Sequence, residues 1–526
     1  MRTVRDAAFD VLRQHGLTTM FANPGSTEIP LLADLPDDLR FVLALHEGSV
    51  VGAATGWAIA RREPALVLLH TTAGLGNAVG ALATARVNRA PLVVLVGQQD
   101  RRHLVQEPFL AGHLEGLAGD YPVRVETPAR AQDLPGAIGR AIHAAQLARG
   151  PALIIVPMDD WAQPAEDLPI TAPTRLRRAI GVDPEAVAEL AALVDAAEAP
   201  ALVVGAGADE PETWRALTAL AQRLRCPVWQ ESFGGRAGFP QDHPQFAGHL
   251  PPGRSRLREV LAPYDLVVTI GAPVFRQSGY EAGPLVDDGT RLAMVTDDPA
   301  EAQRAPVGLA IVAPLRAFCD QLAGTVRPRS EGPVIPAGRE APEPPADGEQ
   351  LRATQVLAAI AERLPANAVL VEETPSSRPD LHALVPARQS LGFISAAMGG
   401  LGFALPAAIG LRMADPDRPV VAIVGDGSSI YQIQALWTAA HYSVGALFVI
   451  MANGRYAVMD ELTDKHGGKP SWPAFEEVSV SGLAHSLGCP SRRVADWPTL
   501  LDELDTLLPT LAQRTQPLLL EVVVQP

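Results

Sequence analysis

Residues 419–460 read PVVAIVGDGSSIYQIQALWTAAHYSVGALFVIMANGRYAVMD and determine the architecture that we predict. The stretch opens with an apolar run, Val420 to Val424, that is too short for a helix and rich in β-branched residues, which indicates a buried strand. Gly425-Asp426-Gly427 then predicts a tight turn, and the periodicity from Tyr431 to His441 predicts a helix.

A second apolar strand, Ala446 to Met451, leads directly into Ala452-Asn453-Gly454-Arg455. Because the carboxyl ends of parallel strands meet at one edge of a sheet, Asp426 and Asn453 are predicted to lie together where open α/β sheets bind ligands. Asp426 offers a carboxylate and Asn453 an amide oxygen, and the turn that follows can aim the backbone carbonyl of Arg455 at the same point. Three such oxygen donors, with room for waters and phosphate oxygens, suit Mg²⁺.

The glycines on either side of Asp426 would let backbone N–H groups approach a diphosphate closely. The alternative is an ordinary strand–turn–helix in which Asp426 only caps the helix. A GDG sequence by itself favours that alternative. The second strand, which ends in Asn453, favours the metal site.

This stretch resembles the thiamine-diphosphate signature, in which GDG is followed after a few tens of residues by a pair of asparagines. Ala452 replaces the first of the pair, but the family's metal ligand is the second, so Asn453 keeps that role. The resemblance extends over nearly the whole chain and is greatest to the benzoylformate decarboxylases among the thiamine-diphosphate-dependent 2-oxo acid decarboxylases. It implies thiamine diphosphate and Mg²⁺ as cofactors, with further cofactor contacts from Gly425, Gly427, Ser428 and Tyr456.

The composition sets limits on the class of protein. A chain of 526 residues with 47% apolar residues is expected to form two to four domains with sizeable cores. A formal charge of −16 without a basic run argues against nucleic-acid binding. An acidic, amphipathic N-terminus, no apolar run long enough to span a membrane and only three scattered cysteines lead us to expect a soluble cytoplasmic enzyme without disulfides or zinc.

The alternation of apolar strands and helical stretches predicts an α/β protein with three doubly wound parallel-sheet domains. We place them at residues 1–165, 180–325 and 351–526, with an exposed linker at 326–350 and a proline-rich connector from Pro164 to Thr174. The resemblance identifies these domains as pyrimidine-binding, central and diphosphate/Mg-binding. In the first two domains, strands are predicted at Thr19–Phe21, Phe41–Leu45, Ala65–His70, Pro91–Val96, Ala152–Val156, Ala201–Val204, Val228–Gln230, Leu266–Ile270 and Leu292–Val295.

The turn Gly205-Ala206-Gly207 raises the alternative of a Rossmann dinucleotide site in the central domain. It lacks the third glycine of that fingerprint and an acidic strand end at the right distance. We therefore expect the central domain to be a structural spacer.

Glu47 follows the strand Phe41–Leu45 and precedes a helix expected to begin near Val50. A carboxylate at a helix N-terminus is electrostatically favourable, so capping is the simpler interpretation. The resemblance instead assigns Glu47 to the N1′ nitrogen of the cofactor's aminopyrimidine ring. That role requires a rigidly held, desolvated acid.

Two further motifs of the first domain match the family. Asn23-Pro24-Gly25-Ser26 resembles its N-P-G-S turn, which would place Gly25 at the cofactor and Ser26 on the substrate carboxylate. His70, followed by a glycine-rich turn and Asn77, matches a segment whose histidine relays protons and whose asparagine belongs to the cofactor site. The alternatives are a turn serine that caps a helix and a structural histidine at a strand end.

The segment from Gly399 to Phe403, GGLGF, matches the family almost letter for letter. By position, Leu401 would be the bulky residue under the cofactor that forces its bent shape, with Gly399 beside it. The alternative is a leucine that packs a helix after a flexible turn.

The sequence departs from the benzoylformate decarboxylases at three positions. Their second active-site histidine corresponds to Ser278, and two phenylalanines of their aryl pocket correspond to Ser395 and Leu462. The loss of an imidazole and two rings changes both proton supply and pocket shape. Glu373, Thr374, His382 and Tyr456 could supply other polar contacts.

The resemblance implies non-oxidative decarboxylation of an aryl or otherwise bulky 2-oxo acid to an aldehyde through an enamine intermediate. An alternative is an acetolactate synthase-like carboligase that uses the same intermediate; a non-catalytic homologue and a nucleotide-dependent dehydrogenase are less well supported. Glu47 and Asp426 lie on different domains and would bind opposite ends of one cofactor. In the family that the chain resembles, this happens across a subunit interface, so the resemblance implies a homodimer or homotetramer with active sites at that interface.

Overall fold

Each of the three α/β units forms its own six-stranded parallel sheet in the computed structural model, which describes residues 1–166 and 181–525. The central strands are buried along their whole length, as in Ala65–Leu69 and Leu266–Ile270. Such uniformly apolar strands are expected where helices cover both faces of a parallel sheet. The predicted fold class, three doubly wound parallel-sheet domains, is confirmed.

The first domain has the strand order β2-β1-β3-β4-β6-β5. Its strands are β1 Thr19–Asn23, β2 Arg40–Leu43, β3 Ala65–Leu69, β4 Leu92–Gln98, β5 Arg124–Glu126 and β6 Pro151–Pro157. Its helices are α1 Val4–Gln14, α2 Ile29–Leu32, α3 Glu47–Arg61, α4 Thr71–Val87 and α5 Leu134–Ala148. The N-termini of α3 and α4 follow β2 and β3 at the carboxyl edge of the sheet.

The central domain has the order β12-β11-β10-β7-β8-β9. Its strands are β7 Pro200–Val204, β8 Val228–Gln230, β9 Phe246–His249, β10 Leu266–Ile270, β11 Arg291–Thr296 and β12 Leu309–Val312. Its helices are α6 Pro184–Ala196, α7 Pro211–Leu224, α8 Arg254–Leu261, α9 Pro299–Arg304 and α10 Leu315–Thr325. Residues 328–348 then run as an irregular and mostly exposed segment.

The third domain has the order β14-β13-β15-β16-β18-β17. Its strands are β13 Val369–Glu373, β14 Phe393–Ser395, β15 Val420–Gly425, β16 Leu447–Ala452, β17 Ser491–Val494 and β18 Leu518–Val523. Its helices are α11 Ala353–Arg363, α12 Arg378–Leu384, α13 Ala404–Ala414, α14 Asp426–Ile430, α15 Ala435–His441, α16 Ala457–Lys465, α17 Val480–Ser486 and α18 Trp497–Leu507.

The first and third domains share one hydrophobic core, in which α3 packs against α13. Small residues bring the two helix backbones together: a Cβ added to Gly56 would overlap with the carbonyl oxygen of Ala407, and one added to Gly410 would overlap with that of Ala53. This contact fixes how the two cofactor-binding domains of one chain lie relative to each other.

Three predictions of local structure need correction. The helix expected from Tyr431 to His441 begins only at Ala435, because residues 431–434 form turns in which Gln432 reaches into the first domain and accepts from Ser49 Oγ at 2.6 Å. The helix expected near Val50 begins earlier, at Glu47. Strands β5, β9 and β12 were not predicted; β5 and β9 have no continuous apolar run, whereas the short apolar run of β12, LAIV, was overlooked. In the third domain, β13, β14, β17 and β18 were not predicted either.

Within the described ranges, no helix is both long enough and apolar enough to cross a membrane. Of the predicted connector Pro164–Thr174, only residues 164–166 are among those described.

Candidate active site

Asp426 and Asn453 lie at the carboxyl edge of the third sheet, as predicted. The parallel register pairs Gly425 at the end of β15 with Met451 near the end of β16, so the two polar residues leave neighbouring strands at the same level. Both line a cavity of about 400 Å³. This cavity is bordered by two loops, one that carries Leu401 and one that carries Trp472.

Backbone N–H groups hold the carboxylate of Asp426 in place. Gly427 N donates to Oδ1 at 2.8 Å and Gly454 N donates to Oδ2 at 2.6 Å. Burial raises the pKa of Asp426 above its ordinary value, while these N–H groups oppose the rise. A bound cation would favour the charged form, so this carboxylate suits a metal ligand.

The donor set at this edge fits Mg²⁺ rather than a metal that prefers nitrogen or sulfur. In the described part of the chain, no group of three or more His, Cys, Asp or Glu side chains is placed to hold a metal ion. Asp426 and Asn453 instead offer oxygen donors in a cavity that has space for oxygens of a bound diphosphate.

Five further predicted cofactor contacts of the third domain line the same cavity, namely Leu401, Gly425, Gly427, Ser428 and Tyr456. Gly399 was predicted as well, but it is not among the residues that line this cavity. Arg455 lines it too, and its guanidinium pairs with Asp460, with Nε 3.0 Å from Oδ2. Trp472 Nε1 donates to the other oxygen of Asp460 at 3.0 Å, which fastens the loop after α16 over the cavity.

The glycine-rich loop around Leu401 is anchored by a buried carboxylate. Gly399 and Gly402 have φ angles of +75° and +87°, and Leu401 between them is 39% exposed in the cavity. The side chain of Glu373, at the end of β13, accepts backbone N–H groups that follow Leu401. Burial raises the pKa of Glu373 to about 7, and these hydrogen bonds oppose the rise.

A second group of polar residues lies at the carboxyl edge of the first sheet, around Glu47. Glu47 occupies the first turn of α3 and is 8% exposed. Asn23 Nδ2 donates to its Oε1 at 3.0 Å, and Asn77 Nδ2 donates to its Oε2 at 3.1 Å. Two amides therefore fix the carboxylate from both sides, and neither adds a positive charge.

His70 belongs to the same group and contacts a buried acid. Its Nδ1 lies 2.9 Å from Glu28 Oε2 and 3.0 Å from Thr27 Oγ1. Glu28 is almost wholly buried, and Gly25 N also donates to its Oε2, at 2.7 Å. A carboxylate on Nδ1 leaves Nε2 as the nitrogen that can exchange a proton with a ligand.

The turn that carries Gly25 and Ser26 lies beside this histidine. A Cβ added to Gly25 would lie 2.5 Å from His70 Nδ1, so only glycine lets the backbone pass so close to the ring. Ser26 opens a short 3₁₀ turn, and its side chain is exposed. The Asn-Pro-Gly-Ser motif is therefore packed against the histidine that was predicted from a separate motif.

The two polar groups do not form one enclosed cavity within a single chain. Every described residue that lines the cavity at Asp426 belongs to the third domain, between Thr374 and Trp472. Glu47 and His70 belong to the first domain. Glu47 and His70 therefore lie outside the cavity that Asp426 and Asn453 line.

The three departures from the family lie in different environments. Ser278 is exposed on a loop of the central domain, and Leu462 is 46% exposed on α16. Ser395 is buried, and its Oγ donates to Glu372 Oε2 at 2.8 Å, so it holds a neighbouring strand rather than lining the cavity. His382 also lies elsewhere, because it stacks on His249 of the central domain.

Sequence reasoning did not find the roles of three residues that hold the site together, Asn23, Glu28 and Glu373. Asn23 was noted only as part of a turn. Glu28 gives no signal, since an acid in the turn after a strand usually caps a helix. Glu373 was named only as a possible polar contact; its place at the end of an apolar strand was the available clue, because an ionisable residue there needs a partner.

Family models match the three domains in chain order. The N-terminal TPP binding domain of thiamine pyrophosphate enzymes matches residues 2–115. The central domain of these enzymes matches residues 187–322, and their C-terminal TPP binding domain matches residues 377–522.

Individual relatives agree with these matches. The chain is 40% identical over 465 residues to a benzoylformate decarboxylase of Pseudomonas aeruginosa, which covers 87% of each protein. A solved structure, the thiamine diphosphate-dependent 4-hydroxybenzoylformate decarboxylase of Rhodococcus jostii RHA1, superposes with a TM-score of 0.93 and 36% identity over 100% of this chain and 99% of that one.

Acetolactate synthases are more distant. The large subunit of isozyme 1 from Escherichia coli is 27% identical over 84% of this chain and 80% of its own length. The carboligase alternative is therefore not favoured. The chain belongs to the thiamine pyrophosphate enzyme family, as a carboxy-lyase of the benzoylformate decarboxylase type that acts on a 2-oxo acid and uses thiamine diphosphate with Mg²⁺.

Proposed function

We propose that the substrate is a 2-oxo acid with an aryl or otherwise bulky side chain, and that the product is the corresponding aldehyde. Large side chains surround the cavity beside Asp426, including Leu401, Tyr431, Met459 and Trp472. Relatives named for aryl substrates support the proposal. Ser278 replaces the second active-site histidine of the benzoylformate decarboxylases. The preferred substrate therefore carries a side chain different from the phenyl ring of benzoylformate.

The third domain would hold the metal and the diphosphate. Asp426, Asn453 and the backbone carbonyl of Arg455 are the proposed Mg²⁺ ligands. Gly399, Gly425, Gly427, Ser428 and Tyr456 are the proposed contacts to the rest of the cofactor, and Leu401 is the proposed wedge beneath it. All of these assignments except that of Gly399 rest on the shared cavity and its oxygen donors. Gly399 is assigned by the resemblance of its segment to the family.

The first domain would supply the proton chemistry. Thiamine diphosphate supplies, when bound, the electron sink that makes loss of CO₂ from a 2-oxo acid feasible. Glu47, fixed by Asn23 and Asn77, would hold a proton at a nitrogen of the pyrimidine ring. Gly25 and Asn77 are the proposed further contacts to that half of the cofactor. His70, oriented by Glu28, gives a proton to the product carbon from Nε2, and Ser26 binds the substrate carboxylate.

One cofactor must contact both half-sites, so we infer a homodimer or homotetramer in which the site forms between subunits. The cavity is lined by the third domain, whereas Glu47 and His70 lie on the first. The subunit interface would also exclude water from the site.

All three cysteines are buried free thiols, which agrees with a cytoplasmic enzyme.

The observation that carries the proposal is the shared cavity of Asp426 and Asn453 next to a large apolar surface. Its test is aldehyde release from a panel of aryl, branched and short 2-oxo acids by cofactor-free protein, with thiamine diphosphate and Mg²⁺ added back singly and together. We expect aldehyde only with both, and faster turnover of aryl than of short substrates. Faster turnover of pyruvate, or acyloin as the main product, would contradict the proposal.

A further inference from the structure

A buried carboxylate, that of Glu373, lies beside the cofactor cavity without entering the proposed chemistry. It ends β13 and pairs in register with Val424 of β15, so it reaches the same sheet edge as Asp426. Its side chain is 2% exposed. A carboxylate in such a position destabilises a fold unless hydrogen bonds compensate for the lost solvation.

Those hydrogen bonds all come from the loop that carries Leu401. Gly402 N donates to Oε1 of Glu373 at 2.6 Å. Phe403 N and Ala404 N both donate to Oε2 at 2.7 Å. The first N–H groups of a helix lack partners within the helix. Glu373, at the end of β13, therefore caps the N-terminus of α13.

Before Leu401, the loop is held by Ala397 N, which donates to Asn88 Oδ1 at 2.9 Å, and by Gly399 N, which donates to Ala396 O at 3.0 Å. Gly399 and Gly402 both adopt positive φ angles, and Leu401 is 39% exposed in the cavity. A loop of glycines around one large side chain can adopt many conformations. Its first fixed point after Leu401 is the set of three N–H groups bound by Glu373.

We propose that Glu373 is a positioning residue for the reaction: it holds Leu401 at the height in the cavity that the bent cofactor requires. The inference rests on the proposed wedge role of Leu401. The three N–H donors are the residues immediately after Leu401, so a shift of the carboxylate moves that side chain directly. A displacement of about 1 Å at such a residue lowers turnover by as much as about 10²-fold.

The chain offers a matched control in the adjacent residue of β13. Glu372 is also fully buried and also accepts three hydrogen bonds, from Thr374 N, Arg378 Nε and Ser395 Oγ. None of these three donors belongs to residues 402–404, whose N–H groups bind Glu373, and one of them, Thr374, lines the cavity. Glu372→Gln therefore neutralises a buried acid in the same strand, and breaks its ion pair with Arg378, without removing an acceptor of the N–H groups after Leu401.

The test compares Glu373→Gln, Leu401→Ala, the double variant and Glu372→Gln, with kcat, KM, cofactor Kd and thermal unfolding measured for each. Glutamine has one acceptor oxygen and turns an N–H₂ group toward the other donors. For Glu373→Gln we expect kcat to fall about 10- to 100-fold with KM and cofactor Kd changed less than about threefold. The double variant should be no slower than the slower single variant, because both act through one side chain.

Each outcome bears on a different claim. Additive losses in the double variant, or an equal loss of kcat in Glu372→Gln, would overturn the positioning role of Glu373. Full kcat in Leu401→Ala would instead contradict the proposed wedge. If Glu373→Gln does not fold, Glu373→Asp replaces it, because the retained charge on a shorter side chain pulls the loop and must lower kcat in the same non-additive way.

Discussion

At the scale of single residues, the environment of Glu47 indicates how the proposed proton chemistry is arranged. Its two oxygens accept hydrogen bonds from Asn23 and Asn77. Amides orient a carboxylate without stabilising its charge as strongly as an arginine or lysine would. The carboxylate is therefore held rigidly from both sides.

Replacement of Glu47 by Gln tests this arrangement. The amide keeps the shape of the side chain and removes the proton exchange, so we expect kcat to fall by about 10²- to 10⁴-fold. Cofactor binding, measured by calorimetry, should change little because the diphosphate half of the site is intact. Full turnover of the variant would contradict the role assigned to Glu47.

Gly97 offers an indirect test of the contact between His70 and Glu28. A Cβ at Gly97 in β4 would overlap with Glu28 Oε1 and lie 2.5 Å from Thr27 Oγ1. Gly97→Ala should therefore displace the acid from His70 and lower kcat by about 10²-fold, the low end for general acid–base catalysis.

The control for Gly97→Ala is Gly139→Ala in α5, where an added Cβ meets nothing within 4 Å. It should leave kcat unchanged and raise stability, by up to about 1 kcal/mol. If Gly97→Ala folds and keeps the wild-type pH profile and kcat, the contact of Glu28 with His70 does not serve the reaction.

At the scale of helices and strands, the packing of α3 on α13 joins the two cofactor-binding domains. Gly410→Ala would force a methyl group into the carbonyl of Ala53. Overpacking of this kind costs about 1–3 kcal/mol, so we expect a lower thermal unfolding temperature. Gly324→Ala in α10, which meets nothing within 4 Å, should not lower it. Equal unfolding temperatures for the two variants would contradict the close helix contact.

The sequence predicted those elements whose local pattern and final environment agree. β15 and β16 are continuous apolar runs and became central strands with every residue but the last buried. The edge strand β5, RVE, was missed because it has one apolar residue, is partly exposed and pairs on one side only. The interruption before Ala435 was missed because its cause, the contact of Gln432 with Ser49, lies 383 positions away in the chain.

For the site residues too, those marked by a local pattern were predicted and those that depend on distant partners were not. Asp426, Asn453, Glu47 and His70 were predictable because each follows an apolar strand and so must lie at a carboxyl edge. The roles of Glu28 and Glu373 were not predicted, because their partners are a distant histidine and the backbone of a distant loop. Sequence patterns place residues on elements but do not reveal which elements meet.

At the scale of the whole molecule, a pair of stacked histidines joins the central and third domains. His249 of β9 and His382 of α12 lie with ring centroids 3.9 Å apart and an angle of 10° between planes. Burial lowers the pKa of His382 to about 3, and it lowers the pKa of His249 well below the ordinary value. Arg378 also disfavours the charged form of His382.

This pair predicts a loss of stability in acid. Both histidines bind protons more readily when unfolded, so their contribution is fully present above about pH 6.5 and declines as the pH falls toward 3. Each unfolded histidine that binds a proton lowers the free energy of unfolding by about 1.4 kcal/mol per pH unit at most. His382→Phe should reduce the drop in thermal unfolding temperature between pH 7.5 and 5.5, whereas His485→Gln, at an exposed position, should not. Equal drops in all three proteins would contradict the prediction.

The central claim is that one cofactor lies between Glu47 of one subunit and the pocket of Asp426 and Asn453 of another. The most direct test mixes two inactive variants, Glu47→Gln and Asp426→Ala, under conditions in which subunits exchange. If sites are shared between subunits, each hybrid dimer has one doubly altered site and one intact site, and random exchange restores about a quarter of wild-type activity. Hybrid dimers that form and stay inactive would show that each site lies within one chain, and they would contradict the account.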